Sequence, residues 1–490
     1  MRGLGFALPV TRIPKIVALL AFLMAAGCRD SYPVVLPPEN IFYFPVGLAV
    51  RQMPPGPATP AGSSQLVVVS SNFDLRYQES NGGTVLVVDP DASQDTSLGG
   101  QLSVYPNGFQ RIGSFGGQVA VVDAACPPGW PGCPSACPQL SVDPAVAAGG
   151  AKVLLASRSI RTLYRMDMAT DGSLACETGC AAEQGVALLD PYGVATVCNS
   201  RGGIDRSDAY FTYLRGPSSQ GWLTRMGMAT GTVNTLAIGV SPTYSVAYGA
   251  LGDWLFISGG VSGGLAPLRW INPSVANATS GPYDFPVFNS FQTSGVVLGS
   301  SARTVAISND GLRLYLAVDL YDADLLLNSG AFLLEGGALI VFSIAGDAYQ
   351  QPTMALEQVV PTCLGTGDLK VLPPRPGKGD LVALTCDQEG ALVVYDADLG
   401  FVTSYIGLDP STGLPILGRL PFGIAAEPID PARAITAPAS TAYDPSPCVL
   451  GRSCDRLYVG SFLDNWVNIL ELDPDRPETI ALVKRIGRGP

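Results

Sequence analysis

The chain has 490 residues, 47% of them hydrophobic and only 14% charged, with a net charge of −12. It contains no histidine, which excludes Ser-His-Asp and Cys-His sites, HExxH zinc sites and CxxCH haem attachment. The acidic balance argues against binding nucleic acid through clustered Lys and Arg, and against electrostatic docking on anionic lipid.

At the N-terminus, Arg2, Arg12 and Lys15 precede an apolar run at 16–26. About 11 residues suit the core of an export signal and fall short of the roughly 20 that span a bilayer. Ala25, Ala26 and Gly27 stand directly before Cys28. This resembles the bacterial lipobox, with Ala25 where most lipoboxes carry Leu. The resemblance implies cleavage before Cys28 and lipidation of its sulfur, and Arg29 in place of Asp implies an outer-membrane destination. The alternative is an ordinary signal peptide cut nearby. The expected organisation is a lipoprotein signal peptide at 1–27, a Pro-bearing lipidated tether at 28–40 and a single domain at 41–490. Loss of Arg2, Arg12 and Lys15 takes the charge to about −15.

Beyond residue 40, short apolar runs alternate with turn residues, supplied by 57 glycines and 41 prolines, which reads as all-β. One unit, ARTVAISNDGLRLYLAVD (302–319), reads as strand, tight turn, strand, with GGALIVFSI as a third strand. The same grammar begins at PVGLAV (45), PTYSVAYG (242), DLKVL (368) and PFGIAAEP (421). Weaker copies are QLSVDP with AKVLLAS, and PYGVATVC with DAYFTYL. A fourth strand ending in Gly closes most units, as in VNTLAIG. Such units cannot bury their own faces alone, and stacking them around an axis covers both faces. The expectation is a single β-propeller of seven four-stranded blades, with six or eight as alternatives. The pattern P-x-G-[LI]-A, strand, turn, [LV]-Y-V, loop, V-x-V-x-D resembles the YVTN/NHL-type, WD40-like propeller repeats of exported bacterial proteins. Three insertions, at 123, 278 and 431, interrupt the pattern. Their aromatics Trp130, Tyr283 and Phe285 either anchor a partner or cap blade edges.

Eleven cysteines are an odd number. With Cys28 lipidated, ten remain for five disulfides, as an exported chain favours. Cys363 and Cys386 flank a stretch turning at PPRPGKGD and fall opposite each other in a hairpin. Cys448 and Cys454 close a small loop, and Cys180 with Cys198 is a third expected pair. The CxxxC spacings at Cys133/Cys137 and Cys176/Cys180 differ from the CxxC of zinc sites.

Carboxylates cluster at DPDASQD (89–95), DLYDADLLLNSG (319–330) and YDADLG (395–400). Ca²⁺ is the one cofactor such spacing suggests, although no EF-hand pattern accompanies it. No catalytic, cofactor-binding or metal-binding residue is otherwise assigned. SNFDLRY (71–77) suggests a buried Asp74–Arg76 pair fixing a loop. Two functions follow from the resemblance. One is a monomeric, lipid-anchored envelope module that binds or scaffolds a protein or other ligand, akin in architecture to the propeller lipoprotein of outer-membrane barrel assembly. The other is a lactonase-like hydrolase using Asp, Glu and Asn around a divalent cation, with Asp310, Asp319, Asp322 and Asp387 as residues to locate. Three or more carboxylates or amides meeting at a channel mouth would mark the enzyme; an apolar, small-residue channel would mark the binder.

Overall fold

The computed structural model describes residues 35–487, apart from 56, 58–60, 125–136, 177–178, 185–188, 200–205, 216–219, 241–242, 260–265, 274–279, 286–297, 323–328, 330–332 and 348–349. Its strands form seven antiparallel sheets, each built from one contiguous stretch of chain. The inner strands are Pro45–Met53, Gly116–Asp123, Leu189–Asn199, Thr243–Gly249, Leu298–Ile307, Thr366–Val371 and Pro421–Ile429, in blades 1 to 7. Each packs beside the next, and the seventh packs against the first, so the ring closes. The protein is a seven-bladed β-propeller with four-stranded blades.

The sequence dictates this stacking. Second and third strands such as SSQLVVVS, GTVLVV, AKVLLAS and ALVVYD are almost continuously buried. A strand that is apolar on both faces needs cover on both, and here the neighbouring blades supply it. Seven apolar cores result, one at each blade interface. In blade 2 the outer position is shared by two short pieces, Leu174–Ala175 and Ala181–Glu183, which both pair with the third strand.

One unit of the repeat lies elsewhere than expected. The inner strand of blade 2 is GGQVAVVD, Gly116–Asp123, while QLSV belongs to a 3-10 helix at Pro138–Val142. That copy has no Pro and carries Gln118 at the motif's glycine, so the pattern slid to the next plausible apolar segment.

Ring closure exchanges no strand between the ends of the chain. Side chains clasp blade 7 to blade 1 instead. Arg456 donates through Nη1 to Asp91 Oδ1 at 2.6 Å and through Nη2 to Glu471 Oε1 at 2.6 Å. Arg433 Nη2 reaches Asp91 Oδ2 and Ser64 Oγ, both at 2.6 Å. Ser64 and Tyr458 hydroxyls donate to Glu427 Oε1, each at 2.6 Å. Burial pushes the Asp91 carboxyl up, but the Arg456 and Arg433 guanidiniums outweigh it and hold the group below its ordinary value. Glu427, in contrast, is raised by burial despite Arg433 and Arg456. Chain ends meet here too: Phe44 N donates to Asn465 Oδ1 at 2.8 Å, and Asp95 forms a bridge with Ile486.

Candidate functional site

Every inner strand carries a register shift near its start, at Pro45/Gly47, Gly116/Val119, Pro191/Val194, Thr243/Val246, Ala302/Thr304, Thr366/Leu369 and Pro421/Ile424. This bulge is the P-x-G of the repeat. It turns the strand where seven blades crowd the axis. A Cβ on Gly193 would lie 2.5 Å from Tyr244 O of blade 4, and one on Gly423 would lie 2.6 Å from Val46 O of blade 1. Glycine is required there by the approach of the next blade's backbone.

Hydroxyls on the second strands stitch these bulges together. Thr212 Oγ1 accepts from Gly193 N at 3.0 Å and donates to Tyr244 O of blade 4 at 2.8 Å. Ser258 and Thr385 repeat the arrangement towards Arg303 O and Phe422 O. In blade 5 the stitch is Asp319, which accepts from Thr366 N at 2.6 Å, Thr366 Oγ1 at 2.8 Å and Arg303 Nε at 2.6 Å.

The inner strands surround a central cavity of about 680 Å³. Three of its layers can be read directly from the repeat. The motif's glycine position is filled by Gly47, Gln118, Gly193, Ser245, Thr304, Asp368 and Gly423 around the ring. The next position is apolar in every blade: Leu48, Val119, Val194, Val246, Val305, Leu369 and Ile424. The alanine position is Ala49, Ala120, Ala195, Ala247, Ala306 and Ala425 in six blades, and Lys370 in blade 6. Blade 6 therefore reads D-L-K where the motif reads G-[LI]-A.

These departures meet. Gln118 of blade 2 donates through Nε2 to Asp368 Oδ1 at 3.3 Å, although their blades are not neighbours. The same carboxylate accepts from Leu369 N at 3.0 Å and Ile424 N at 3.3 Å. Burial pushes Asp368 up to about 6, with those amides, Lys370 and Gln118 pulling the other way. Nearby, the rings of Tyr192 in blade 3 and Phe422 in blade 7 also meet across the axis, with centroids 6.4 Å apart. Both crossings lie at the end where the inner strands begin. The opposite end is bordered by Ser308, Asn309, Asp310, Gly311, Ala250 and Leu251. The cavity is thus a well of mixed lining, aliphatic side chains from every blade alternating with hydroxyls such as Thr196, Tyr248 and Thr304, with a polar contact at its crossed end. Lys370, half-buried in its wall, makes no hydrogen bond or ion pair with any described residue. Burial lowers its pKa, and only the charge of Asp368 opposes this.

The four carboxylates singled out by sequence do not share a site. Asp319 is the buried stitch of blade 5. Asp387 neighbours it and Arg303, and burial raises it to about 6. Its Oδ1 is buried without a hydrogen-bond partner among the described residues. Asp310 lies at the other end of blade 5's inner strand, where it accepts from Ser308 Oγ at 2.6 Å and Leu312 N at 2.9 Å and fixes a turn. Asp322 ends the second strand of that blade. The DPDASQD carboxylates are likewise engaged: Asp89 in its own turn, Asp91 with two arginines, and Asp95 capping Ser97 N. Among the described residues, no group of three or more His, Cys, Asp or Glu is placed to hold a metal ion. Asp74 and Arg76 do pair, but at the surface; the loop is fixed by buried Asn72, which bonds Tyr77 and Ser114.

Cys363 bonds Cys386 and Cys448 bonds Cys454. The Cys180–Cys198 pair is replaced by Cys176–Cys180 and Cys137–Cys198. Cys137 packs with Cys198 in the core between blades 2 and 3, held there by the 3-10 helix that the strand reading concealed. Cys28, Cys126, Cys133 and Trp130 lie outside the described residues. Tyr283 and Phe285 belong to the outer strand of blade 4, Ser280–Phe285, and not to a free loop.

No protein family matches the chain, and no curated protein resembles it closely enough to match. Solved structures do. Hydrazine synthase of Kuenenia stuttgartiensis is 11% identical over 91% of this chain and 99% of its own, with a TM-score of 0.49. The BP39L lectin of Burkholderia pseudomallei is 11% identical over 91% and 100%, with a TM-score of 0.44. A 6-phosphogluconolactonase-like chain of Bacteroides uniformis is 15% identical over 75% and 94%, with a TM-score of 0.38. At such values no function transfers. The seven sheets establish the propeller by themselves, and function has to be argued from the channel.

Proposed function

We propose that the protein is an exported, lipid-anchored envelope propeller that binds a ligand in its central channel and does not transform it. The observation that carries this reading is the channel wall: aliphatic side chains from all seven inner strands interleaved with hydroxyls, with Asp368 as the one carboxylate lining its crossed end and, among the described residues, no acids converging on it. A hydrolase would need convergent acids, bases or metal ligands around a reacting bond, and among the described residues no three carboxylates converge on the channel. Anchoring rests on LMAAGC and the odd cysteine count, and Arg29 supports the outer membrane. Burial of most of a small ligand in a preformed apolar cavity with few polar groups is how such sites achieve affinity.

The test is native purification followed by denaturation and mass analysis of what is released. Wild-type protein should release a stoichiometric small molecule, and Ala306→Trp, which fills the well, should not. Equal release from both, or lactone turnover on adding a divalent cation, would overturn the reading. Cys28→Ala should move the protein from the membrane to the soluble fraction; retention on the membrane would refute the anchor.

A further inference from the structure

Lys370 is the one cation in the layer of the channel where the other six blades place alanine. We infer that Lys370 is the anchoring residue for an anionic amphiphile: a ligand whose carboxylate or comparable anionic head pairs with the ammonium while its apolar body lies against Ile307, Val371, Ala250 and Leu251 at the end opposite the crossing. The inference rests on the channel-binding reading and adds the charge and placement of the ligand.

Three observations converge on it. The repeat itself shows that lysine is not a structural requirement at this position, since alanine builds the same strand in the other blades. The ammonium has no ion-pair partner within 4 Å among the described residues, and the carboxylate nearest it along the strand is already engaged: Asp368 accepts from Gln118, Leu369 and Ile424. An unpaired charge in an apolar wall is costly, and an incoming anion relieves that cost, gaining a charge-assisted bond at little expense in ordering. The layer on the crossed-end side of the ammonium is supplied by Val119, Val194, Val246, Val305 and Ile424, which offer no polar partner to a second head group. Asp368 at the crossed end repels an anion there, so the head is held at the depth of Lys370 and the body points along the axis towards Ser308 and Leu251.

The experiment compares decanoate, decanol and decyltrimethylammonium by calorimetric titration of the full mature protein, each below its micelle concentration. Variants are Lys370→Ala, which installs the repeat's own residue and so preserves the fold, and Lys370→Arg, which keeps the charge. Wild-type protein should bind decanoate at one site, more tightly than either other probe. Lys370→Ala should weaken decanoate by about tenfold or more, leave decanol within about twofold, and be rescued in part by Lys370→Arg. If decanol and decanoate bind equally and neither responds to Lys370→Ala, the anchor is refuted while channel binding stands. Tighter binding of decyltrimethylammonium than of decanoate would also overturn it. If none of the three binds, the channel reading and the inference fall together.

Discussion

Removing the Arg456 side chain should open the clasp between blades 7 and 1. The guanidinium is 0% exposed, as is the Glu471 carboxylate it holds. It contributes two bonds to Glu471 Oε1, at 2.9 and 2.6 Å, one to Asp91 at 2.6 Å and one to Arg433 O at 2.9 Å. Arg456→Met keeps much of the volume and strands a buried carboxylate that otherwise accepts from Ile435 N at 3.1 Å. Breaking a buried pair by deleting one partner costs about 3–5 kcal/mol, and that is the expected loss. The double variant Arg456→Met/Glu471→Met removes both charges, and replacing a buried pair by apolar groups is often close to neutral. It should return to within about 2 kcal/mol of wild type, the residue of the loss being the bonds to Asp91 and Arg433 O. Guanidinium chloride unfolding of the oxidised proteins, followed by tryptophan fluorescence, gives both numbers and closes a double-mutant cycle. A single variant within about 1 kcal/mol of wild type, or two single effects that simply add in the double, would refute the clasp as described.

Further expectations bear on the same network and on the channel. Asp91→Asn should destabilise at neutral pH; because the folded carboxyl sits below its ordinary value, the wild-type advantage is full above the unfolded value of about 4 and should close as pH falls below it, measured as melting temperature against pH. Asp368 behaves oppositely: raised to about 6 by burial, it costs stability once ionised, so Asp368→Asn should gain on wild type between about pH 4 and 7, and a gap that does not change between pH 5 and pH 8 would contradict the burial argument. Cys363→Ser/Cys386→Ser opens a bridge spanning 23 residues and should cost about 3 kcal/mol in chemical denaturation, whereas an unchanged midpoint would show that the bridge adds nothing.

The fold was largely legible because each blade repeats the same requirement: two doubly buried strands, a tight turn and an inner-strand bulge, which Pro-x-Gly marks in blades 1, 3 and 7. Where a copy abandons that signature, legibility ends. Gln118 stands at the bulge of blade 2, so its inner strand was overlooked, and with it the 3-10 helix that carries Cys137 to Cys198. The channel pair was missed for a related reason. Aligning DLKVL with PVGLAV and PFGIAA by the bulge puts Asp368 under glycine and Lys370 under alanine, and that substitution was the available signal. Clusters of carboxylates are the more conspicuous pattern, but such residues are common in β turns because they satisfy the local backbone, as Asp310 and Asp89 do here. The clasp could not be read from the sequence: Arg456 and Asp91 are 365 positions apart, and the DPDASQD cluster that holds Asp91 gives no sign of its partner.

Closure without a shared strand gives the ring a mechanical polarity. Each of the other six blade junctions is spanned by a covalent connection as well as by packing, so a load crossing one is shared with the backbone. The junction of blades 7 and 1 has no such connection. A pull applied between Val35, whose carbonyl is held by Gln78 N, and Gly487, whose neighbour Ile486 bridges Asp95, would fall on that junction first. The propeller is therefore a band with one buckle, whose parting would leave all seven blades stacked through the other six junctions.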